Sequence, residues 1–385
     1  MTKKLILFSI LTLALFLGVL GLNLGFNNTA AGWSETPTAW SSAKSMVVLS
    51  ADDGKMLYSK NENEKLAMAS TTKIATCITV IENCDNLDKL VDTPKEATLT
   101  EGTSIYLKET EKLSIRQLLY GLMLQSGNDA AVALAISVGG SVEGFASLMN
   151  DMAKRAGAEN THFVNPHGLD HKDHYTTALD LGKITAQALK NKDFAEIVST
   201  KKYKIEKTEH NNERYLGNKN KLLNSLEGCV GVKTGFTSKA GRCLVSACKR
   251  GDMTVVCVVL NCGPMFEESA TLLGQSFEEY TYVNILDDHT IVGEVMVENG
   301  EKSAAKVYNK EGFGAVLKKE DAENINVEYD FEKTLEAPIK KDQIVGEYKV
   351  FVNKDLQFCS KLYIMEEVDN LDITDKLKNI IEKWN

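Results

Sequence analysis

Positive charge is in deficit in this chain of 385 residues: 44 Lys and Arg face 53 Asp and Glu, a formal net charge of −9. Without a basic field nothing draws in a phosphate backbone, and nucleic acid is excluded as a partner. A glycine-rich loop followed by Lys-Ser or Lys-Thr is also missing, so nucleotide phosphates have no cradle. The eight cysteines show no zinc-ribbon spacing. No metal and no cofactor is expected.

What is present begins with an export signal. Lys3 and Lys4 precede a nearly unbroken apolar run from Leu5 to Leu24, and the small residues Thr29, Ala30 and Ala31 follow. This order describes a signal peptide over residues 1–31, cut after Ala31. Left uncut, the run is long enough to serve as an N-terminal anchor. In both cases the folded part is extracytoplasmic, on the outer face of the membrane or in the wall. Export would permit disulfides. Against them, Cys243, Cys248, Cys257 and Cys262 fall in β-like runs where thiols pack as small apolar groups, and a chain of this length needs no staples. Free thiols are expected.

With 43% hydrophobic residues the chain can bury a large core, and its length implies two or three domains. Two apolar runs flank Asp52-Asp53-Gly54-Lys55, a hairpin with turn chemistry. Helical patterns follow over 70–83, 114–138 from Ser114, 141–156 ending near Gly157, and 177–190. Strand-like segments return at 201–207, 229–235, 241–249 and 253–261, and a helix over 267–283 closes the unit. Strands at both ends with helices between imply an α+β fold, an antiparallel sheet completed by distant parts of the chain and covered by helices. This unit is expected to occupy 32–285. From 290 to 365 short β-like runs alternate with charged turns, predicting a small all-β domain. In the final stretch, 370–385, Ile373, Leu377, Ile380, Ile381 and Trp384 share a helical face with Lys376, Lys378 and Lys383 off it. That pattern fits a membrane-surface helix or one packed on its own domain.

Ser70 stands three residues before Lys73 in "MASTTKIAT". Alone the pair reads as a helix cap beside a solvated lysine. Ser126-Gly127-Asn128 and Lys233-Thr234-Gly235 change that reading. Ser-x-x-Lys, a Ser-x-Asn segment and Lys-Thr-Gly, in this order, are the signature of penicillin-binding proteins and class A β-lactamases. The chemistry accounts for the residue types. A serine hydroxyl needs a base, and an amine is a base only when burial or a neighbouring cation lowers its pKa. Helical spacing lets Lys73 Nζ reach Ser70 Oγ, and Lys233 adds the second cation. The cluster His162, His167, Asp170, His171, Asp173 and His174 is read as structural rather than as a metal site.

The sequence resembles the serine-type D-Ala-D-Ala carboxypeptidases, low-molecular-weight penicillin-binding proteins of peptidase family S11. The likeness extends to "FVNPHGLD", "HYTTALDL", "NKNKLL" and "TGFTSKAGRCLV". It implies a β-lactamase/transpeptidase-like domain with a helical subdomain, followed by the small β domain. It implies that Ser70 attacks the D-Ala-D-Ala end of a peptidoglycan stem peptide and that Lys73 is the base. Ser126 would relay protons and Asn128 would hold the acylated peptide. Lys233 and Thr234 would bind the substrate carboxylate, Gly235 would leave room for the substrate, and the Phe236 N–H would complete the oxyanion hole. β-Lactams would be covalent inhibitors. Within Asn-x-Asn the family often carries arginine; Lys219 stands here, and an ammonium cannot make a bidentate carboxylate contact. A β-lactamase would need a Glu-x-x-x-Asn segment in the 158–176 loop, and none is there. A cross-link endopeptidase or transpeptidase, and a wall-binding protein without turnover, are the other readings.

Overall fold

The computed structural model describes residues 41–372. The export segment lies outside the described residues, as does the terminal amphipathic stretch from residue 373. Strands β1 (Ser45–Ser50) and β2 (Met56–Lys60) form the expected hairpin. Their sheet is completed from far along the chain by β7 (Cys229–Thr237), β8 (Gly241–Arg250) and β9 (Met253–Leu260), in the antiparallel order β2-β1-β9-β8-β7. Strand side chains alternate between faces. On one face Val47, Leu49, Val256, Val258 and Leu260 join the main helical core; on the other Met46, Val48, Val255, Cys257 and Val259 pack in a second cluster with the helix Met265–Glu279. Both faces are covered, which is why the central strands read as nearly continuous apolar runs.

The helices on the first face are α1 (Lys73–Glu82), the short α2 (Lys95–Thr98), α3 (Ile115–Leu124), α4 (Asn128–Gly139), α5 (Val142–Arg155), α6 (Ala178–Leu189) and α7 (Lys192–Ser199). α1 is buried from Lys73 through Val80, an all-round burial that fits a central helix. α3 begins in a capping box: Ser114 Oγ accepts from the Gln117 N–H, and Gln117 Oε1 accepts from the Ser114 N–H. The periodicity predicts one helix over 114–138, but the structure breaks it between Leu124 and Asn128, where Ser126 takes a left-handed φ of 65°. Apolar residues on both sides keep the core pattern running through the break and conceal it. The helix expected over 267–283 stops at Glu279, and Tyr280–Leu286 continues as strand β10. Helix α7 was not expected.

Two short ribbons, β3 (Leu90–Asp92) with β4 (Lys112–Ser114) and β5 (Lys202–Ile205) with β6 (Arg214–Gly217), border the helical part. The C-terminal part is all β. β10 pairs with β13 (Phe313–Lys318). β11 (Ile291–Glu298), β12 (Ala304–Asn309), β14 (Ile325–Phe331), β15 (Thr334–Glu336), β16 (Ile344–Val352) and β17 (Asp355–Ile364) form a six-stranded sheet ordered β14-β16-β17-β12-β11-β15. Its own core gathers Val295, Val307, Tyr348, Val350 and Leu362. The first hairpin turn grips this part: Asp53 Oδ2 accepts from the Val316 N–H at 2.7 Å, and Lys55 Nζ donates to the Val316 carbonyl at 2.9 Å. All eight cysteines are free thiols, and Cys243, Cys248, Cys257 and Cys262 are buried.

Candidate active site

Ser70 sits in a single 3₁₀ turn, Ala69–Thr72, which leads into α1. Ala69 enters the turn at φ 49°, and side chains on either side hold it there. Thr71 Oγ1 donates to the Met68 carbonyl at 2.6 Å, and Thr72 Oγ1 donates to the Ala69 carbonyl at 2.8 Å. Thr72 Oγ1 in turn lies 2.8 Å from His174 Nε2. His174 Nδ1 accepts from the Val164 N–H, so Nε2 carries the proton and donates to the threonine. Burial is the main reason that the His174 pKa falls to about 4, keeping the ring in this neutral form. Gly168 meets the same turn from the other side, with φ 92° and no space for a β-carbon, which would fall 1.9 Å from the Ala69 carbonyl oxygen.

One helical turn on, Lys73 is completely buried. Its Nζ lies 3.1 Å from Ser70 Oγ, 2.7 Å from Asn128 Oδ1 and 2.7 Å from the His167 carbonyl oxygen. Burial, then the charges of Lys233 and Lys219, push its pKa well below the ordinary lysine value, with Asp129 pulling the other way. A neutral amine has two N–H groups and one lone pair. Asn128 Oδ1 and the His167 carbonyl take the two hydrogens, and the lone pair is left for the Ser70 hydroxyl proton. Spacing thus puts the buried Lys73 amine within reach of the Ser70 hydroxyl.

Asn128 opens α4 just past the break. Its Nδ2 donates to the Glu101 carbonyl at 2.6 Å and its backbone N–H donates to the Thr103 carbonyl at 2.6 Å. The next residue, Asp129, is buried and accepts from the N–H groups of Ile105 and Leu107 and from Ser104 Oγ. The 101–107 segment is therefore tied to the start of α4. Arg214 ties it from outside, donating to the Ile105 and Tyr106 carbonyls and pairing with the buried Glu111. Ser126 is buried at the break, between these anchors.

The other wall is β7, the edge strand of the main sheet. Lys233 is buried, and its Nζ donates to the Thr234 carbonyl at 2.9 Å. Burial, followed by the Lys219 charge, lowers its pKa to about 7. Gly235 passes so near the Ser70 turn that a β-carbon on it would lie 3.0 Å from the backbone nitrogens of Ser70 and Thr71. Phe236 is exposed, and the following Thr237 Oγ1 donates to Asp170 Oδ1 at 2.9 Å, joining β7 to the 158–176 loop. The structure thus brings Ser70, Lys73, Asn128, Lys233 and Gly235 around one centre.

Sequence reasoning missed Thr72 and the His167 carbonyl, whose contacts depend on the 158–176 loop folding back on the Ser70 turn. It also missed Asp129, Arg214 and Glu111. The histidines go to separate tasks: His167 Nδ1 accepts from the Leu169 N–H, and His162 Nδ1 lies 2.6 Å from the Asp173 carbonyl. Among the described residues no group of three His, Cys, Asp or Glu is placed to hold a metal.

The D-alanyl-D-alanine carboxypeptidase family model (Peptidase S11) matches residues 33–263. This chain belongs to that family. A model of the penicillin-binding protein 5 C-terminal domain matches residues 280–370. The D-alanyl-D-alanine carboxypeptidase DacF of Bacillus subtilis is 32% identical over 89% of this chain and 90% of its own length. DacC of Escherichia coli, a protein of the same description, is 34% identical over 85% of this chain and 84% of its own length. The solved structure of penicillin-binding protein 5 from Haemophilus influenzae superimposes with a TM-score of 0.74 at 25% identity, covering 87% of this chain and 100% of that one. The S11 fold, a transpeptidase-like domain followed by an all-β domain, and the serine-type carboxypeptidase reaction come with this membership.

Proposed function

We propose that Ser70 is the nucleophile and Lys73 its base in removing the terminal D-alanine from a peptidoglycan stem peptide ending in D-Ala-D-Ala. Ser70 Oγ attacks the carbonyl of the penultimate residue while its proton passes to the Lys73 Nζ lone pair. The developing oxyanion is held by the N–H groups of Ser70 and Phe236, at the start of a helical turn and on the free edge of β7. Collapse breaks the peptide bond, and the proton reaches the leaving D-Ala amine by way of Ser126. Water, deprotonated by Lys73, then hydrolyses the ester and restores Ser70. Lys233 and Thr234 hold the substrate's terminal carboxylate, and Asn128 holds the amide of the acylated peptide. A β-lactam follows the first half of this path and stays as the acyl-enzyme.

The observation that carries the reading is the buried Lys73 Nζ 3.1 Å from Ser70 Oγ, with Asn128 Oδ1 and the His167 carbonyl oxygen each 2.7 Å away as acceptors for its hydrogens. We further infer that the protein works on the outer face of the membrane or in the wall and that, of the stretch 370–385, the part beyond Leu371 lies on the membrane surface, since Asn370 pairs with Gly300 and the Leu371 N–H donates to the Asn299 carbonyl within the β domain. Basic residues off an apolar face support that placement.

The test is D-alanine release from a diacyl-Lys-D-Ala-D-Ala peptide by protein lacking residues 1–31. Ser70→Ala and an L-Ala-terminated peptide serve as controls. Release that requires both Ser70 and the D-configuration supports the reading. Covalent penicillin binding without release would replace it with a cross-link-specific enzyme or a wall-binding protein without turnover. Penicillin labelling retained in Ser70→Ala would remove Ser70 from its role.

A further inference from the structure

The thiols are not scattered evenly. Cys229 begins β7 and stands directly opposite Cys248 of β8 in the antiparallel register. Elsewhere, strand-borne cysteines face other residue types: Cys243 faces Gly235, Cys257 faces Val48 and Ser246, and Cys359 faces Lys349. Directly opposed residues in an antiparallel pair have Cα atoms about 4.5–5.5 Å apart. That separation falls inside the range of about 4.4–6.8 Å spanned by disulfides. Both side chains also project to one face: Cys248 is buried in the cluster beneath the helix Met265–Glu279, and Cys229 packs at the edge of the same cluster. The ladder shifts register just after Cys229, before Gly231 meets Ala247, and the two cysteines remain opposed on the outer side of that irregularity.

We propose that Cys229 and Cys248 form a cross-strand disulfide that staples the root of the catalytic strand β7 to β8. The oxidant is a low-molecular-weight disulfide. The Cys229 thiolate attacks one of its sulfurs, giving a mixed disulfide and releasing one thiolate. Cys248, its proton lost to solvent, then attacks Cys229 Sγ and releases the second. Two protein thiols are oxidised to one disulfide while the reagent's disulfide is reduced to two thiols. Exposure assigns the order, since Cys229 is half-buried and Cys248 is fully buried. A hydrogen bond from Cys248 and the charge of Lys201 favour the Cys229 thiolate, whereas the thiol of Cys248 is pushed up.

The consequence falls on β7. Lys233, Thr234 and Gly235 lie on the same strand, and among the described residues β7 has a strand neighbour on only one side. A covalent link at its root ties the carboxylate-binding residues to the middle of the sheet and removes freedom from the unfolded chain.

The test uses the chain from residue 32 onward, reduced and then incubated with oxidised glutathione. Thiols titrated after denaturation should fall by two from eight. Non-reducing peptide mapping should join the Cys229 peptide to the Cys248 peptide, and the melting temperature should rise. In Cys229→Ser and in Cys248→Ala the reagent should produce no intramolecular link. An unchanged thiol count, glutathione left on Cys229, or a link to any other cysteine would each overturn the proposal. Should Cys248→Ala fail to fold, the wild-type peptide map decides alone.

Discussion

Lys73 Nζ is nearer to Asn128 Oδ1, at 2.7 Å, than to the Ser70 hydroxyl oxygen, at 3.1 Å. The neutral amide carbonyl accepts a hydrogen from the amine without adding a charge that would favour the ammonium. Asn128→Asp places a carboxylate there. An opposite charge at this distance raises a base's pKa by about one to three units. The acid limb of the penicillin acylation rate should therefore move to higher pH by about that amount, leaving the enzyme slow at neutrality. Acylation rates measured from pH 5 to 10 on both proteins check it; an unmoved limb would mean that Lys73 is not the titrating base.

Lys233 gives the opposite limb. Burial and the Lys219 charge bring its pKa to about 7, and in the role proposed for it only the protonated form would attract the substrate carboxylate. For the free enzyme, kcat/KM should fall as pH rises through about 7. A bound carboxylate favours the ammonium, so the limb in kcat should lie at higher pH. Lys219→Gln removes a like charge and should move the kcat/KM limb upward. Lys233→Arg, which stays charged throughout, should abolish the limb while lowering the plateau, because a planar fork does not fit a site shaped around an ammonium.

Much of this site is legible in the sequence because its residues come as short local pairs. Ser70 with Lys73, Ser126 with Asn128, and Lys233 to Gly235 are each set by spacing within one turn or one strand. What the sequence conceals is how those pieces are fixed to one another. Arg214 pairs with Glu111, 103 positions away, and no local pattern marks a partner at that range. Asp129 falls inside the helix that the periodicity predicts over 114–138 and reads there as an ordinary acidic residue, and only the folded 101–107 segment reveals what it binds. The break at Ser126 is hidden for a similar reason: Leu122, Leu124, Ala130 and Ala131 are all buried, so apolar periodicity runs straight through it. The periodicity extends the helix expected over 267–283 into Tyr280–Val283 because the strand partner there, β13, lies far along the chain.

Gly235 is where the two walls touch. A β-carbon there would lie 3.0 Å from the backbone nitrogens of Ser70 and Thr71 and 3.1 Å from the Met68 carbonyl oxygen. These are backbone atoms of a braced turn and cannot step aside as a flexible side chain would. In Gly235→Ala the edge of β7 has to move away from Ser70. Displacements of about 1 Å at a reacting centre cost on the order of 10²-fold in rate. Penicillin acylation should fall by about that factor, and the melting temperature should change little, since β7 keeps its ladder to β8. An acylation rate within a factor of two of wild type would show that the turn adapts.

The braced turn has its own pH signature. His174 donates to Thr72, which donates to the Ala69 carbonyl, and burial, the largest cause in both rings, lowers the pKa of His174 to about 4 and of His167 to about 3 from an ordinary 6.5. Between pH 6.5 and those values the unfolded chain binds protons that the folded chain does not. The stability from the two neutral rings is therefore complete above about pH 6.5 and is lost as pH falls toward 4 and then 3. The melting temperature should decline across that window, and His174→Gln, which has no proton to gain there, should show a shallower decline. Thr72→Val tests the same brace at constant pH. It leaves the Nε2–H of His174 and the Ala69 carbonyl without this partner, and a buried polar group left unpaired costs about 1–3 kcal/mol. At about 2–4 °C per kcal/mol for a unit of this size, thermal scans should show a drop of several degrees. Acylation should slow as well, because the Ala69 φ of 49° that presents Ser70 loses one of its restraints. A variant that melts lower yet acylates at the wild-type rate would assign the brace to stability alone.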